Sequence, residues 1–385
     1  MRASAADAPA LLVVSDYVRE GPSRPEAEIY LALRRRGYRV AVITHAESAY
    51  TRRFRDCGIR VLLGHPTARR DAAGTCVIRD ELLRGSYDAL VLYNSRAIAN
   101  GVRAARGIDV AVVAYRGYAG EVRWYDPSNY LKLLHPRVDA ILCNNRGVAA
   151  HVRRNRWWAR RDLTHVVTKG HDLDWYADVP RADRASLGVP ADALLAVCVA
   201  NAQPFKGIPV LLRAMRHVDP ALGIHLALCG RGMDAPAHRR LAEASGQADR
   251  IHFPGYRDDV LAVVRAADAK VLPSTRGESL TKAVFEAMAL GTPVVITDIP
   301  GNEELVEHGV SGWKVPPSDP VALARGLERV LGDAELRGRL AAGARERLAG
   351  PLSHATTVDA MDAFFRGLVA GRLSPKRQSQ ESNAA

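Results

Sequence analysis

The chain alternates short, unbroken apolar runs with longer amphipathic stretches. The runs in its first half are Ala10 to Ser15, Tyr38 to Thr44, Gly58 to Leu63, Tyr87 to Leu92, Asp109 to Ala114 and Val138 to Cys143. A run of Val, Ile, Leu and Ala without a polar face predicts a strand covered on both sides, the habit of a parallel sheet flanked by helices. A helical pattern near Pro25 to Gly37 separates the first two runs. The second half repeats the scheme at Leu194 to Ala200, Ile224 to Cys229, Arg250 to Pro254, Ala269 to Pro273, Val294 to Thr297 and Trp313 to Val315, with helices over Leu280 to Leu290, Glu335 to Leu348 and about Thr357 to Leu368. Two consecutive doubly wound α/β domains are expected. The assigned limits are residues 1–175, a linker over 176–192 that carries Pro180 and Pro190, a second domain over 193–350, a closing helical segment over 351–371 and a polar, disordered tail over 372–385.

Composition narrows this picture. A chain of 385 residues is long enough for two cores. No run of about 18 uncharged apolar residues is present, which argues against a spanning helix. The first nine residues have no apolar block of signal-peptide type, so a cytoplasmic location is expected. The cysteines Cys57, Cys76, Cys143, Cys198 and Cys229 show no Cys-x-x-Cys spacing and are expected to be small buried hydrophobes.

The net charge of +12 is lopsided: residues 1–190 hold 31 Lys and Arg against 20 Asp and Glu, and residues 191–385 hold 23 against 22. The excess clusters at Arg34, Arg35, Arg36 and Arg39, at Arg52, Arg53 and Arg55, and most densely at Arg153, Arg154, Arg156, Arg160 and Arg161 around Trp157 and Trp158. Arginines beside paired indoles suit an anionic membrane surface, and solvated helix faces would carry the same charges. No nucleic-acid motif accompanies them, so nucleic acid is not an expected partner.

The candidate chemistry lies in Gly277-Glu278-Ser279-Leu280-Thr281-Lys282, which enters an apolar helix containing Glu286 and stopped by Gly291 and Pro293. An uncapped helix start presents backbone N–H groups and partial positive charge, a seat for phosphate. At about 1.5 Å per helical residue the two carboxylates stand roughly 12 Å apart at most. That span suits a sugar nucleotide: Glu286 accepting from the ribose hydroxyls, the diphosphate over the helix start, and Glu278 on the sugar hydroxyls. Two solvated glutamates on an amphipathic helix are the plain alternative.

The Glu278-x7-Glu286 segment, followed by Gly291-Thr292-Pro293-Val294-Val295 and Pro300-Gly301-Asn302-Glu303-Glu304, resembles glycosyltransferase family 4. The likeness runs from about Leu194 to Leu331 and is looser in the first half. It implies a retaining enzyme of the GT-B fold, two doubly wound Rossmann-like domains facing a central cleft, with the last helix returning to the first domain. The implied donor is a nucleoside diphosphate sugar, UDP-linked by preference. The implied acceptor is a hydroxyl of a glycan or lipid-linked acceptor, as in cell-surface polysaccharide or lipopolysaccharide assembly. No cofactor or essential metal is implied; the leaving phosphate oxygen itself takes the acceptor proton.

Carried over residue by residue, the resemblance gives Lys206 and Glu278 the catalytic roles. It gives donor contacts to Glu286, Ser279, Leu280, Thr281, Lys282, Asn201, Gly230 and Arg231. Asn201 stands where the family has an Arg against the diphosphate, and Arg276, Lys282 or Arg231 could compensate. In the first domain, Gly21 keeps part of a glycine-rich phosphate loop within Gly21-Pro22-Ser23-Arg24-Pro25-Glu26. Tyr115-Arg116-Gly117-Tyr118 occupies the place of a histidine-containing loop but has no histidine. Arg116, Asp126 and His135 are the acceptor candidates there. Lys169 replaces an Asn at the interdomain segment. Asp172-Leu173-Asp174 has the letters of a metal-binding Asp-x-Asp but falls in that same segment. Gly230-Arg231-Gly232 imitates a dinucleotide fingerprint, but Asp249 precedes the next strand where an acid should end it, which weakens an NAD-dependent oxidoreductase. A non-catalytic sugar-nucleotide-binding protein on the same fold is the other alternative.

Overall fold

The computed structural model describes residues 8–118, 120, 122–156 and 163–371. The chain divides into two units, one made of Met1–Lys169 with His354–Ala385 and the other of Gly170–Ser353.

The first unit is built on a parallel seven-stranded sheet: β1 (Ala10–Val14), β2 (Arg39–Thr44), β3 (Arg60–Leu63), β4 (Ala89–Leu92), β5 (Ala111–Arg116), β6 (Ala140–Cys143) and β7 (Thr164–Val166), in the order β3-β2-β1-β4-β5-β6-β7. Its helices are α1 (Glu20–Arg35), α2 (Ala49–Asp56), α3 (Ala72–Gly85), α4 (Ser95–Ala104) and α5 (Arg146–Asn155). Successive strand residues point to opposite faces. Leu12 and Val14 therefore pack with Ile78, Leu82 and Leu90, while Leu11 and Val13 pack with Ile29, Tyr30 and Phe54. That two-sided burial is why the apolar runs show no alternation.

The second unit repeats the plan with β8 (Leu194–Val199), β9 (Ile224–Cys229), β10 (Ile251–Gly255), β11 (Ala269–Leu272), β12 (Val294–Thr297) and β13 (Trp313–Val315), ordered β10-β9-β8-β11-β12-β13. Its helices are α6 (Ile208–Met215), α7 (Pro236–Glu243), α8 (Val260–Ala266), α9 (Lys282–Leu290), α10 (Pro320–Leu331) and α11 (Ala334–Ala349). The last helix, α12 (His354–Val369), belongs to the first unit. Its Val358, Met361, Phe364, Phe365 and Leu368, at helical spacing, lie in the layer that holds Leu11, Ile29 and Tyr30. Tyr38 Oη donates to Asp362 Oδ1 at 2.6 Å from beside that layer.

Several details differ from the sequence expectations. The units divide after Lys169, and the stretch expected as a linker over 176–192 is part of the second core, because Tyr176, Leu187 and Val189 bury their side chains with Leu195, Val197 and Phe285. Helix α1 starts at Glu20, so Gly21, Pro22 and Ser23 form its first turn, where a proline costs nothing because those N–H groups have no intrahelical partner. Strand β7 was not anticipated; it is three residues long. Cys143, Cys198 and Cys229 are buried as expected, but Cys57 and Cys76 are exposed, one ending α2 and one on the outer side of α3. The tail over 372–385 lies outside the described residues.

Candidate functional site

Both strand orders reverse direction at an inner pair, β1 with β4 in the first unit and β8 with β11 in the second. In such sheets the loops leaving the carboxyl ends of that pair diverge and leave a crevice, the general ligand site of the architecture. In the second unit the loop after β8 brings Lys206, and the loop after β11 brings Ser274, Glu278 and the start of α9.

Lys206 Nζ contacts Glu278 Oε1 at 2.6 Å, with side chains 18% and 8% exposed, so little water screens the pair. Ser274 Oγ donates to the same Oε1 at 2.6 Å, and Thr281 Oγ1 donates to Oε2 at 3.0 Å. Ser274 is itself held from behind: its carbonyl accepts from Thr297 Oγ1, whose own carbonyl accepts from Asn302 Nδ2 at 2.9 Å. Glu278 thus sits at the end of a buried polar chain reaching to the loop after β12. Two glycines make this packing possible. A Cβ at Gly207 (φ +68°) would stand 1.9 Å from the Pro273 carbonyl, and a Cβ at Gly301 (φ +101°) would stand 2.4 Å from the Glu278 carbonyl. Thr275 N donates to Phe205 O at 2.8 Å and locks the two loops together.

Helix α9 begins at Lys282, two residues later than expected. Thr281 stands at its cap position yet does not cap with its side chain, because the hydroxyl is turned to Glu278. The first amides of α9 are therefore left without a side-chain acceptor. Lys282, in the first turn, pairs with Glu286 one turn on; that carboxylate is buried to 10% exposure while its lysine is 41% exposed. A cation at the positive end of a helix is poorly placed for helix stability and well placed for an anionic ligand. Ser279 and Leu280 bridge Glu278 to this start and are partly exposed.

Of the other donor candidates, Asn201 and Arg231 meet in a second pair of loops. Arg231 N donates to Asn201 Oδ1 at 3.4 Å, Ala202 N donates to Arg231 O at 2.9 Å, and the Arg231 guanidinium lies 5.0 Å from the Tyr256 ring centre. Gly230, at φ +141°, opens that loop directly after β9. Asp172 Oδ1 accepts from Asp174 N at 3.0 Å and caps a short 3-10 turn, so the Asp-x-Asp letters serve local structure.

The first unit holds a cavity of about 630 Å³ at its own reversal point. Its walls include Asp16 after β1, His45 after β2, His65 after β3, Tyr93, Asn94 and Arg96 after β4, and Arg116 at the end of β5. The His45 and His65 rings are 4.1 Å apart. Asn94 Oδ1 accepts from Arg96 N and Ala97 N as the cap of α4, which turns its amide nitrogen to His65 Nε2 at 2.8 Å and makes that nitrogen the acceptor. Burial, with the neighbouring His45, pulls the His65 pKa down to about 4, so the imidazole is neutral at pH 7.

Among the first-unit candidates, only Arg116 lines this cavity. Its guanidinium is committed to the Tyr118 and Gly120 carbonyls and lies 3.6 Å from the Tyr118 ring centre. Asp126 caps its own turn, accepting from Ser128 N, Ser128 Oγ and Asn129 Nδ2, and the two Ser128 bonds lower its pKa. His135 Nδ1 accepts from Arg137 N at 3.0 Å, and burial together with nearby arginines lowers its pKa. Gly21 lies in the first turn of α1 rather than in a loop. His45 and His65 escaped the sequence reading, although His45 directly follows a predicted strand and His65 follows another after one glycine, which is the signal that could have found them.

Of the basic patch, Trp157, Trp158, Arg160 and Arg161 lie outside the described residues. Arg154 is exposed, Arg153 is held by the Thr164 hydroxyl at 2.5 Å and its carbonyl at 3.1 Å, and Arg156 is buried at 3% exposure, which removes it from any surface. Among the described residues no helix is long and apolar enough to cross a membrane.

Residues 180–347 match the family described as Glycosyl transferases group 1. That stretch lies within the second unit and contains Lys206, Glu278 and Glu286. Curated relatives agree. The lipopolysaccharide core biosynthesis glycosyltransferase LpsE of Rhizobium meliloti is 31% identical over 223 residues, 58% of this chain and 63% of that protein. The D-inositol 3-phosphate glycosyltransferase of Geodermatophilus obscurus is 40% identical over 215 residues, 52% of this chain and 47% of that protein. The chain thus spans roughly half to two thirds of the length of these relatives. Among solved structures, Anabaena Alr3699/HepE in complex with UDP superposes with a TM-score of 0.72 at 20% identity, covering 92% of this chain and 99% of that one. WaaG, a glycosyltransferase involved in lipopolysaccharide biosynthesis, gives 0.61 at 16% identity, covering 91% and 98%. The fold is the GT-B pair of Rossmann-like domains.

Proposed function

We propose that this chain is a retaining glycosyltransferase of family 4 that moves a sugar from a UDP-sugar to a hydroxyl of a glycan or lipid-linked acceptor. The observation that carries the reading is Glu278, buried and held by Lys206, Ser274 and Thr281, beside the uncapped start of a helix whose next turn carries the buried Glu286. Lys206 and the α9 amides stabilise the departing diphosphate, Glu286 accepts from the ribose hydroxyls, and Glu278 fixes hydroxyls of the transferred sugar. Electrostatic stabilisation of the leaving group is then the largest catalytic contribution. The related HepE was solved with UDP and with UDP-glucose, which supports a UDP-linked donor. The polar cavity wall of His45, His65, Tyr93 and Asn94 suits a hydroxyl-rich acceptor.

Asn201, uncharged where the family carries an Arg, favours one rival: a sugar-nucleotide-binding protein without turnover. Slow UDP-sugar hydrolysis or transfer to any acceptor excludes it. Thermal shifts against UDP-, GDP- and ADP-sugars come first, with stabilisation by the UDP series expected. Glu286→Gln should then keep the far-UV spectrum and raise the donor KM about tenfold, since a neutral amide accepts less strongly than a carboxylate. A donor KM equal to that of the wild type would reject the assignment.

A further inference from the structure

Lys270 lies in the middle of β11, where its backbone partners are Val197 on β8 and Val294 on β12. Its sequence neighbours Ala269 and Val271 face one apolar layer. Val197, Val294 and Leu272 face the other, together with Val284, Phe285 and Met288 of α9. Strand alternation puts Lys270 on this second side, beneath the helix that carries Glu286. The residue is 1% exposed, and its Nζ has no hydrogen-bond partner among the described residues. A buried amine in that state costs folding free energy, and a methionine or leucine would fill the position without the cost.

The groups around it explain what the amine can do. Glu286 acts on it from α9, Cys229 from β9 and Lys206 from the loop after β8, while Cys198 of β8 turns into the opposite layer with Ala269 and Val271; Asp268, one residue before its strand, is committed to Arg184 at 3.0 Å. Glu278 lies next to the same group through Cys198 and Lys206. Glu286 is the acid of this set that borders the α9 start, and its present outer partner, Lys282, is itself at the proposed diphosphate seat.

We propose that Lys270 is a positioning residue for the donor nucleotide, a cation kept inside the sheet that holds Glu286 in place when Lys282 leaves that carboxylate for the diphosphate and the ribose hydroxyls take it up. The proposal rests on the glycosyltransferase reading above. It also answers the substitution at Asn201: positive charge missing from the loop after β8 is present one layer deeper, on the neighbouring strand. Burial lowers the Lys270 pKa, with Cys198 and Glu286 opposing the shift. Donor affinity should therefore fall as pH rises through that depressed value, below the ordinary lysine pKa of about 10.4. Burial pushes Cys198 to about 12 and Cys229 to about 11, so neither thiol titrates in that interval.

The test is calorimetric binding of UDP, GDP and ADP, steady-state kinetics and thermal unfolding for the wild type and Lys270→Met. Expected for the variant are a melting temperature raised by about 3 °C or more, a nucleotide Kd and donor KM raised about tenfold with kcat within about threefold, and loss of the alkaline decline in affinity seen in the wild type. Stabilisation together with weaker binding separates this role from a packing role, which would lower the melting temperature. A variant with unchanged Kd, or one that is less stable with kcat and KM both impaired, overturns the proposal while leaving the glycosyltransferase reading intact. A wild type that binds none of the three nucleotides overturns both.

Discussion

Gly207 follows Lys206 because no other residue fits there: its backbone is left-handed, and the space a side chain needs is filled by the Pro273 carbonyl. Gly207→Ala should push the two loops apart, cost about 2 kcal/mol in urea unfolding and break the Lys206 contact to Glu278. A variant with wild-type stability and turnover would show that the loop is not held as described. His65 makes a prediction of a different kind. Its pKa is about 4 in the folded protein against about 6.5 in an unfolded chain. Between those values the unfolded state binds the extra proton, so stability is fully present above pH 6.5 and is lost as pH falls toward 4. The loss amounts to about 3 kcal/mol. In His65→Gln that part of the acid sensitivity should vanish, which urea midpoints at pH 7 and pH 4.5 would reveal.

Elements were legible in the sequence to the degree that their burial was uniform. The strands at Ile224–Cys229, Val294–Thr297 and Trp313–Val315 match the expected limits, since an apolar run bounded by turn residues has one reading. Helix α1 was placed too late, because Gly21, Pro22 and Pro25 look like a loop; Gly21 and Pro22 fall in the first turn, where a proline is tolerated, and Pro25 lies inside the helix. Strand β7, with Thr164 and His165 in three residues, has no pattern to read. In the candidate site, Glu278, Glu286 and Lys206 were visible as charged residues in fixed spacing around apolar runs. Ser274, Thr297, Asn302 and the walls of the first-unit cavity were not, because their partnership exists only once distant loops meet. Helix α12 belongs to the legible group, and its apolar stripe carries a direct test. Phe365 is fully buried in the first unit's core, and Phe365→Ala should cost about 3–5 kcal/mol in denaturant unfolding. A loss under about 1 kcal/mol would mean that the helix contributes little to that core.

Across the whole molecule, members of the first unit's basic clusters are tied into ion pairs while its net positive excess stays unpaired. Arg36 pairs with Asp359 at 2.5 Å, Arg53 with Glu28 at 2.6 Å, Arg55 with Glu47 at 2.6 Å, and Lys169 with the buried Glu26 at 2.9 Å. The arginine clusters therefore work as fold contacts as well as surface charge. In the second unit the cations that face the proposed diphosphate seat are Lys206 and Lys282, joined by the α9 amides, a set able to serve a diphosphate without a divalent ion. Turnover should accordingly survive EDTA; abolition by the chelator and rescue by added magnesium would require a metal role. The placement of α12 reaches further, into how the protein is made. Its apolar stripe completes the Leu11, Ile29 and Tyr30 layer from the far end of the chain. On the ribosome the second unit can therefore finish its own folding first, while the earlier-made half waits for residues 354–369 to emerge, the reverse of the usual order of synthesis.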